Sequence, residues 1–201
     1  FKTVSRVLNN DTAVRDATRK KVLAATEALD YRPNLMARSL RSQRTHTIGF
    51  ITDQIATTPY AGQILHGAQD LAWQHNVLLL TVNTNGDQKM KQTAVNTLLH
   101  RQVDGIIYAT MYHRQANPPE NLRKLPTDLL DCFVADKSLP SVVPDEVTGG
   151  KEMTEYLIRK GHRRIGFVCD EANVVAKIGR LQGYKSALAA HEVAYDPTLV
   201  H

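Results

Sequence analysis

Apolar residues recur along the chain in two spacings, and the alternation of these spacings predicts its elements. Residues 3–8 and 16–29 have apolar side chains three and four positions apart, which is typical of short amphipathic helices. From residue 47 onward, short aliphatic runs alternate with longer segments of helical spacing. The predicted strands are residues 47–52, 77–82, 104–109, 127–130, 141–143 and 164–168, and the predicted helices are residues 60–75, 88–101, 120–124, 150–160 and 178–190.

Short strands that alternate with helices indicate a parallel sheet covered by helices on both faces. The sequence therefore predicts an α/β protein with a doubly wound parallel-sheet core, preceded by a partial all-helical domain. The alternation restarts near residue 141, which predicts two lobes. The predicted divisions are a helical domain at residues 1–33, a linker at 34–45, a first lobe at 46–140 and a second lobe at 141–201.

Positive charge is concentrated at the N-terminal end. The 201 residues include 25 Lys and Arg and 20 Asp and Glu, which gives a formal net charge of +5. Residues 1–45 alone carry ten basic and four acidic side chains, so this segment has a net charge of +6 and the rest has −1. A local excess of this kind favours nucleic acid or an anionic membrane surface as a partner. We expect no membrane partner, because no apolar run is long enough to span a bilayer.

The sequence has no pattern that indicates catalysis or metal binding. Cys132 and Cys169 lie in or beside apolar runs and have neither CxxC nor Cys/His spacing, which predicts reduced, structural thiols in a cytoplasmic protein. The eight histidines are scattered, and we find no GxGxxG turn, phosphate-binding loop or nucleophile with a nearby base. We therefore expect no enzyme activity, no cofactor and no metal site.

The linker has the composition of a helix that needs a partner. Asn34 can cap a helix over residues 35–40, but about two turns are too short to be stable alone in water. Arg38 and Leu40 suit insertion into a DNA minor groove, where an apolar side chain unstacks a base step while arginines neutralise phosphates. An exposed interdomain linker, with Leu40 packed on its neighbour, explains the same pattern equally well.

Several segments resemble the LacI/GalR family of bacterial transcription regulators. In family order they are TVSRVLN, TRKKV, YRPNLMARSL, TIGFI, GHRRIGFV and GRLQGYKSAL. The resemblance implies the end of a helix-turn-helix domain, a hinge helix and a core of two lobes like that of periplasmic binding proteins. Because the chain begins inside a helical pattern, we expect a first helix upstream of residue 1 and more of the core beyond residue 201.

The resemblance also implies which residues bind DNA. Phe1 and Lys2 match positions that read bases in the major groove, and Arg6 matches an arginine that contacts a guanine, a contact that discriminates between bases. For Arg6, the pattern alone favours a solvated helix charge, whereas the motif favours a contact with DNA. The DNA-binding positions that the resemblance implies are Phe1, Lys2, Thr3, Ser5, Arg6 and Asn9 in the helical domain and Asn34, Ala37, Arg38 and Leu40 in the hinge.

Ligands of open α/β sheets bind beyond the carboxyl ends of the strands, and four residues are candidates there. The resemblance implies that Tyr60 stacks on an effector and that Arg180 anchors its oxygens, although Ala61 replaces a second aromatic residue and predicts a roomier pocket. Asp145 and Asp131 both follow predicted strands. Each of the two acids fits either an effector contact or a structural contact that holds together the crossover between the two lobes. For Asp145 both alternatives stay open, and for Asp131 the structural contact is favoured.

The expected protein is a homodimeric, cytoplasmic regulator, most simply a repressor, that binds a near-palindromic double-stranded DNA operator. A small effector, a sugar or sugar derivative, would close the lobes and change the spacing of the hinge helices. The alternative is a sugar-binding protein on the same core without a DNA role. The basic segment over residues 1–45 argues against that alternative.

Overall fold

The computed structural model describes residues 2–8, 11–31, 44–54, 59–169 and 174–201. The chain forms two compact units, Phe1–Thr45 and His46–His201. Phe1, Asn9, Asn34, Ala37, Arg38 and Leu40, which the sequence places at the DNA, lie outside the described residues. None of the helices in the described ranges is both long and apolar enough to cross a bilayer.

The N-terminal unit contains two helices joined by a turn. Helix α1 comprises Lys2–Leu8 and α2 comprises Asp16–Ala28. Val7 is the buried apolar side chain of α1. The turn begins where the backbone N–H of Asp11 donates to the carbonyl oxygen of Arg6 at 3.0 Å. This hydrogen bond satisfies a carbonyl at the end of α1, so the chain reverses there instead of continuing the helix.

The second unit is built on a parallel sheet of five strands, in the order β2-β1-β3-β4-β5. The fold class predicted from the sequence is therefore confirmed. The strands are β1 (Thr47–Thr52), β2 (Leu78–Asn83), β3 (Gly105–Gln115), β4 (Thr127–Phe133) and β5 (Ser141–Val142). The helices are α3 (Pro59–Gln74), α4 (Gln88–His100), α5 (Glu146–Arg159) and α6 (Val175–Ala190), with short 3-10 helices at Glu120–Lys124 and Pro197–Leu199.

The main core lies between the sheet and α4. Leu98 of α4 is fully buried and fills the space left by the missing side chain of Gly49 on β1, since a Cβ there would overlap the leucine. Ile51, Ile106 and Leu129, from three adjacent strands, belong to the same buried cluster. This packing fixes the sheet whose carboxyl edge carries the candidate site.

Helices α5 and α6 pack against each other through glycines. A side chain at Gly150 of α5 would overlap the backbone of Arg180, and one at Gly183 of α6 would overlap the carbonyl oxygen of Val147. The two backbones therefore lie in direct contact. This close approach holds the beginning of α5 beside the first half of α6.

Several sequence-based boundaries differ from the structure. Helix α5 begins at Glu146 instead of residue 150, because Asp145 caps it. Strand β5 pairs with β4, so the first sheet extends beyond residue 140. The strand predicted at 164–168 is wrong in extent. Within the described residues it forms only an isolated parallel bridge between Phe167 and Val200, with backbone hydrogen bonds to residues 199 and 201.

Candidate functional site

Asp131 lies at an irregularity near the carboxyl end of β4. The pairing of β3 with β4 shifts register between Ala109 and Arg114, opposite this residue. Its backbone has a φ of 57°, a left-handed conformation that Asp adopts more readily than most residues. The Thr110 hydroxyl donates to the Asp131 carbonyl oxygen at 2.9 Å and holds the backbone in place. The local fold thus puts this carboxylate at the sheet edge where α/β proteins bind ligands.

The Asp131 side chain is buried in the protein. The residue is 2% exposed, and neither carboxylate oxygen accepts a hydrogen bond from any residue that the structure describes. Burial raises the pKa of Asp131 to about 6, and the nearby Glu146 carboxylate adds to this shift while Arg180 opposes it. Among the described residues this side chain makes no contact that would explain a structural role, and the structural role expected for Asp131 stays a prediction. Native proteins rarely keep such a group without a functional reason.

An ion pair between a buried carboxylate and a half-exposed guanidinium lies beside Asp131. Glu146, the first residue of α5, is buried, and its Oε2 accepts a hydrogen bond from Nε of Arg180 at 2.5 Å. Its Oε1 lies 3.8 Å from Nδ1 of His113. The Arg180 side chain remains 57% exposed. Glu146 therefore fixes the guanidinium from one side and leaves the other side accessible, which is the arrangement that an anchor for ligand oxygens requires.

Tyr60 joins this cluster from the first turn of α3. Its side chain is 46% exposed. Partial burial raises the pKa of Tyr60, and the negative charges of Asp131 and Glu146 raise it further, whereas Arg180 lowers it. The charges carried by β4, α5 and α6 thus act on Tyr60 of α3, which supports one common site for an aromatic ring, two carboxylates and a guanidinium.

Asp145 lies directly before α5 and caps that helix. It is exposed, and its Oδ1 accepts a hydrogen bond from the backbone N–H of Thr148 at 3.0 Å as the cap of α5. Hydrogen bonds from Thr148 lower the pKa of Asp145. The cap explains this residue without a ligand, and an effector contact by Asp145 stays a prediction. Its neighbour Glu146 follows the same predicted strand and was missed, because the sequence does not show which acid turns inward.

Asp53, which directly follows β1, braces the same edge of the sheet. Its buried carboxylate accepts a hydrogen bond from the backbone N–H of Met111 at 3.0 Å and forms an ion pair with Arg114. Both partners lie on β3, near its irregular part. Asp53 thus has its charge satisfied by the protein, in contrast to Asp131, and holds the segment opposite Asp131 in place.

Four of the residues predicted to bind DNA lie on α1 within the described residues. Lys2, Thr3 and Arg6 are exposed on α1, and Ser5 is partly buried. Nε of Arg6 donates to Oδ2 of Asp11 at 2.7 Å. Their contacts with DNA stay predictions.

Comparisons with known proteins match both units. Residues 1–34 match the model of the bacterial regulatory proteins of the LacI family, and residues 45–198 match the model of periplasmic binding proteins and the sugar-binding domain of the LacI family. The chain is 35% identical over 201 residues to the HTH-type transcriptional regulator RegA of Clostridium saccharobutylicum, covering 99% of this chain and 60% of that protein.

Further similarity extends to a repressor of sugar metabolism and to a solved DNA complex. The ribose operon repressor of Haemophilus influenzae is 31% identical, over 97% of this chain and 58% of that protein. The crystal structure of the lac repressor dimer bound to operator and an anti-inducer superposes with a TM-score of 0.67 at 25% identity, over 96% of this chain and 59% of that chain. The chain thus spans about 60% of the length of these proteins. These matches show that the chain belongs to the LacI family of bacterial regulatory proteins.

Proposed function

We propose that this protein is a sequence-specific DNA-binding transcription regulator, a repressor, controlled by a small effector of the sugar class. The observation that carries the proposal is that one chain matches both the DNA-binding model, over residues 1–34, and the sugar-binding model, over residues 45–198. The relatives are themselves transcription regulators by name, which supports a regulatory role instead of an enzymatic one.

Charge and exposure support the DNA-binding part. Residues 1–45 carry the whole net positive charge of the chain, and a basic segment of this kind attracts phosphates. Helix α1 exposes Lys2, Thr3 and Arg6 together. Two protomers related by a two-fold axis would place two such helices on a near-palindromic operator.

The groups at the sheet edge support an uncharged, polyhydroxylated effector. Both oxygens of Asp131 need donors, Arg180 offers donors, and Tyr60 offers an aromatic face for the apolar side of a sugar ring. Two carboxylates, Asp131 and Glu146, face the single guanidinium of Arg180 here. This charge balance favours a neutral sugar over a phosphorylated one.

The distribution of these groups supports control of DNA binding by the effector. Asp131 belongs to the five-stranded sheet, which is one part of the core. Arg180 belongs to α6, which with α5 forms the other part. A ligand that binds both groups stabilises one separation of the two parts over others, and only such a difference in affinity shifts a conformational equilibrium. In a dimer that shift changes the spacing of the two DNA-binding units.

Fluorescence anisotropy on a palindromic duplex with a central CpG step, over a salt series and with a panel of neutral and phosphorylated sugars, tests the proposal. We expect salt-sensitive binding that Arg6→Ala and Leu40→Ala weaken, and a change in affinity with one neutral sugar that is lost in Arg180→Ala. Sugar binding without salt-dependent DNA affinity would refute the proposal and support the alternative of a sugar-binding protein without a DNA role.

A further inference from the structure

The guanidinium of Arg6 on α1 is hydrogen-bonded to the turn that follows the helix. Nε of Arg6 donates to Oδ2 of Asp11 at 2.7 Å, and the backbone N–H of Asp11 donates back to the carbonyl oxygen of Arg6 at 3.0 Å. The two residues are thus joined twice, five positions apart. Such a double link restricts the rotation of a long side chain that otherwise has many rotamers.

Asp11 is itself held rigidly. Its Oδ1 accepts a hydrogen bond from the backbone N–H of Ala13 at 2.9 Å, and its carbonyl oxygen accepts one from Nη2 of Arg19 at 2.5 Å. The carboxylate is therefore fixed by the turn, and the backbone that carries it is fixed by α2. Hydrogen bonds from Arg6 and from Ala13 lower the pKa of Asp11.

Among the residues that the structure describes, the contact with Asp11 occupies Nε of Arg6 and not its Nη atoms. A guanidinium has five N–H donors in one plane, and the contact with Asp11 uses the donor on Nε. The two Nη atoms lie at the opposite end of the group and form the fork that suits O6 and N7 of a guanine. Arg6 and Asp11 have side chains that are 46% and 35% exposed, so solvent screens the pair and it adds little to folding stability.

We propose that Asp11 is a positioning residue for base recognition, which holds the guanidinium of Arg6 in the orientation that reads a guanine. This inference rests on the proposed DNA-binding function. Without Asp11, Arg6 keeps its charge and still attracts phosphates, but it must lose side-chain freedom each time it binds a base. Discrimination between bases then falls, while attraction to DNA of any sequence does not.

The substitution Asp11→Asn separates this role from a structural one. Asparagine keeps an oxygen that accepts from Ala13 and so preserves the turn, but it replaces the charged acceptor of Arg6 with an amide. Removal of a negative charge near DNA also favours nonspecific binding, so the two effects have opposite signs. Glu27→Gln is the matched control, because it removes one exposed acid from the same unit without touching Arg6.

The experiment selects duplexes from a randomised pool with the full chain and then measures affinity by anisotropy for the preferred duplex and for its single base-pair replacements. We expect Arg6→Ala to lose about 10- to 100-fold discrimination at one base pair, and Asp11→Asn to lose about tenfold at the same base pair only. Nonspecific affinity and thermal unfolding should stay as in Glu27→Gln. In the Arg6→Ala background, Asp11→Asn should cause no further loss.

Three outcomes would overturn the inference, and they are distinguishable from one another. If Arg6→Ala loses discrimination and Asp11→Asn does not, the DNA-binding function stands and Asp11 has no positioning role. If Asp11→Asn raises discrimination, Asp11 competes with DNA for Arg6. If the wild-type chain selects no sequence at all, the proposed function fails and this inference fails with it.

Discussion

The Asp131 carboxylate has no partner among the described residues, and this predicts opposite effects of its removal on folding stability and on effector binding. In Asp131→Asn, the side chain keeps its size and its tolerance for the left-handed backbone, because Asn adopts positive φ as readily as Asp. The hydrogen bond from Thr110 goes to the backbone carbonyl oxygen and is retained. The substitution therefore removes the buried charge and little else. We expect a protein that is more stable and binds its effector less tightly.

The magnitude follows from the shift in pKa. The pKa of Asp131 rises from 3.8 to about 6, and each unit corresponds to about 1.36 kcal/mol, so the charge costs roughly 3 kcal/mol of folding free energy at pH 7. The buried amide of asparagine also lacks a partner and retains part of this cost. A net gain of about 1–2 kcal/mol is therefore expected.

The sign of the pH dependence is fixed by the same values. The folded state binds the proton more tightly than the unfolded state, since its pKa is higher. Well below pH 3.8 both states are protonated and the penalty is absent, and it grows mainly between the two pKa values, 3.8 and about 6. The stability advantage of Asp131→Asn should therefore be largest above pH 6 and small at pH 4.

Urea unfolding from pH 4 to 8 measures this difference, with Asp128→Asn as the matched control. Asp128 lies on the same strand and is exposed, so its substitution should change stability by less than about 0.5 kcal/mol. The effector that the sugar panel identifies should bind about 10- to 100-fold more weakly to Asp131→Asn, because a hydrogen bond to a charged acceptor is lost. If Asp131→Asn is less stable than the wild type at pH 7, the carboxylate has partners and the reasoning is refuted.

Three further predictions concern the core unit. Gly183→Ala forces α5 and α6 apart and should lower the free energy of unfolding in urea by about 1–3 kcal/mol. Arg180→Ala leaves Glu146 buried without its cation, so it should destabilise by about 1–2 kcal/mol, and Glu146→Gln should restore part of that loss. Burial raises the pKa of the Cys132 thiol to about 11, so iodoacetamide should modify Cys169 in the native protein and Cys132 only in urea, as peptide mass spectrometry would show.

Local periodicity was sufficient to predict most of the fold. Strands β1, β2 and β4 begin within one residue of the predicted positions, as do α3 and α4. These elements bury one face or both, so their side-chain pattern follows their secondary structure. Strand β3 continues to Gln115, well beyond the predicted end, because its second half is polar and pairs with β4 only after a register shift.

The candidate site was harder to predict, because its chemistry depends on which acids find a partner. Asp53, Asp131, Asp145 and Glu146 all follow or end strands, and no local pattern distinguishes them. The structure gives Asp53 a cation, Asp145 a helix to cap and Glu146 the guanidinium of Arg180. Among the residues that the structure describes, only Asp131 of these four has no partner, and it lies opposite the register shift of β3.

In the proposed function, the lack of a hydrogen-bond donor for Asp131 makes the affinity for the effector depend on the position of α6, which carries Arg180, relative to the sheet. An ionised carboxylate without a donor makes the unliganded arrangement less stable than its packing allows. A hydroxyl donor removes that cost, but it anchors the rest of the effector only if Arg180 is within reach on the other side. The effector therefore binds one arrangement of the two parts more tightly than the others, and the difference arises from few contacts. A fully satisfied site would bind a sugar with less dependence on conformation, and a ligand of equal affinity for both states shifts no equilibrium.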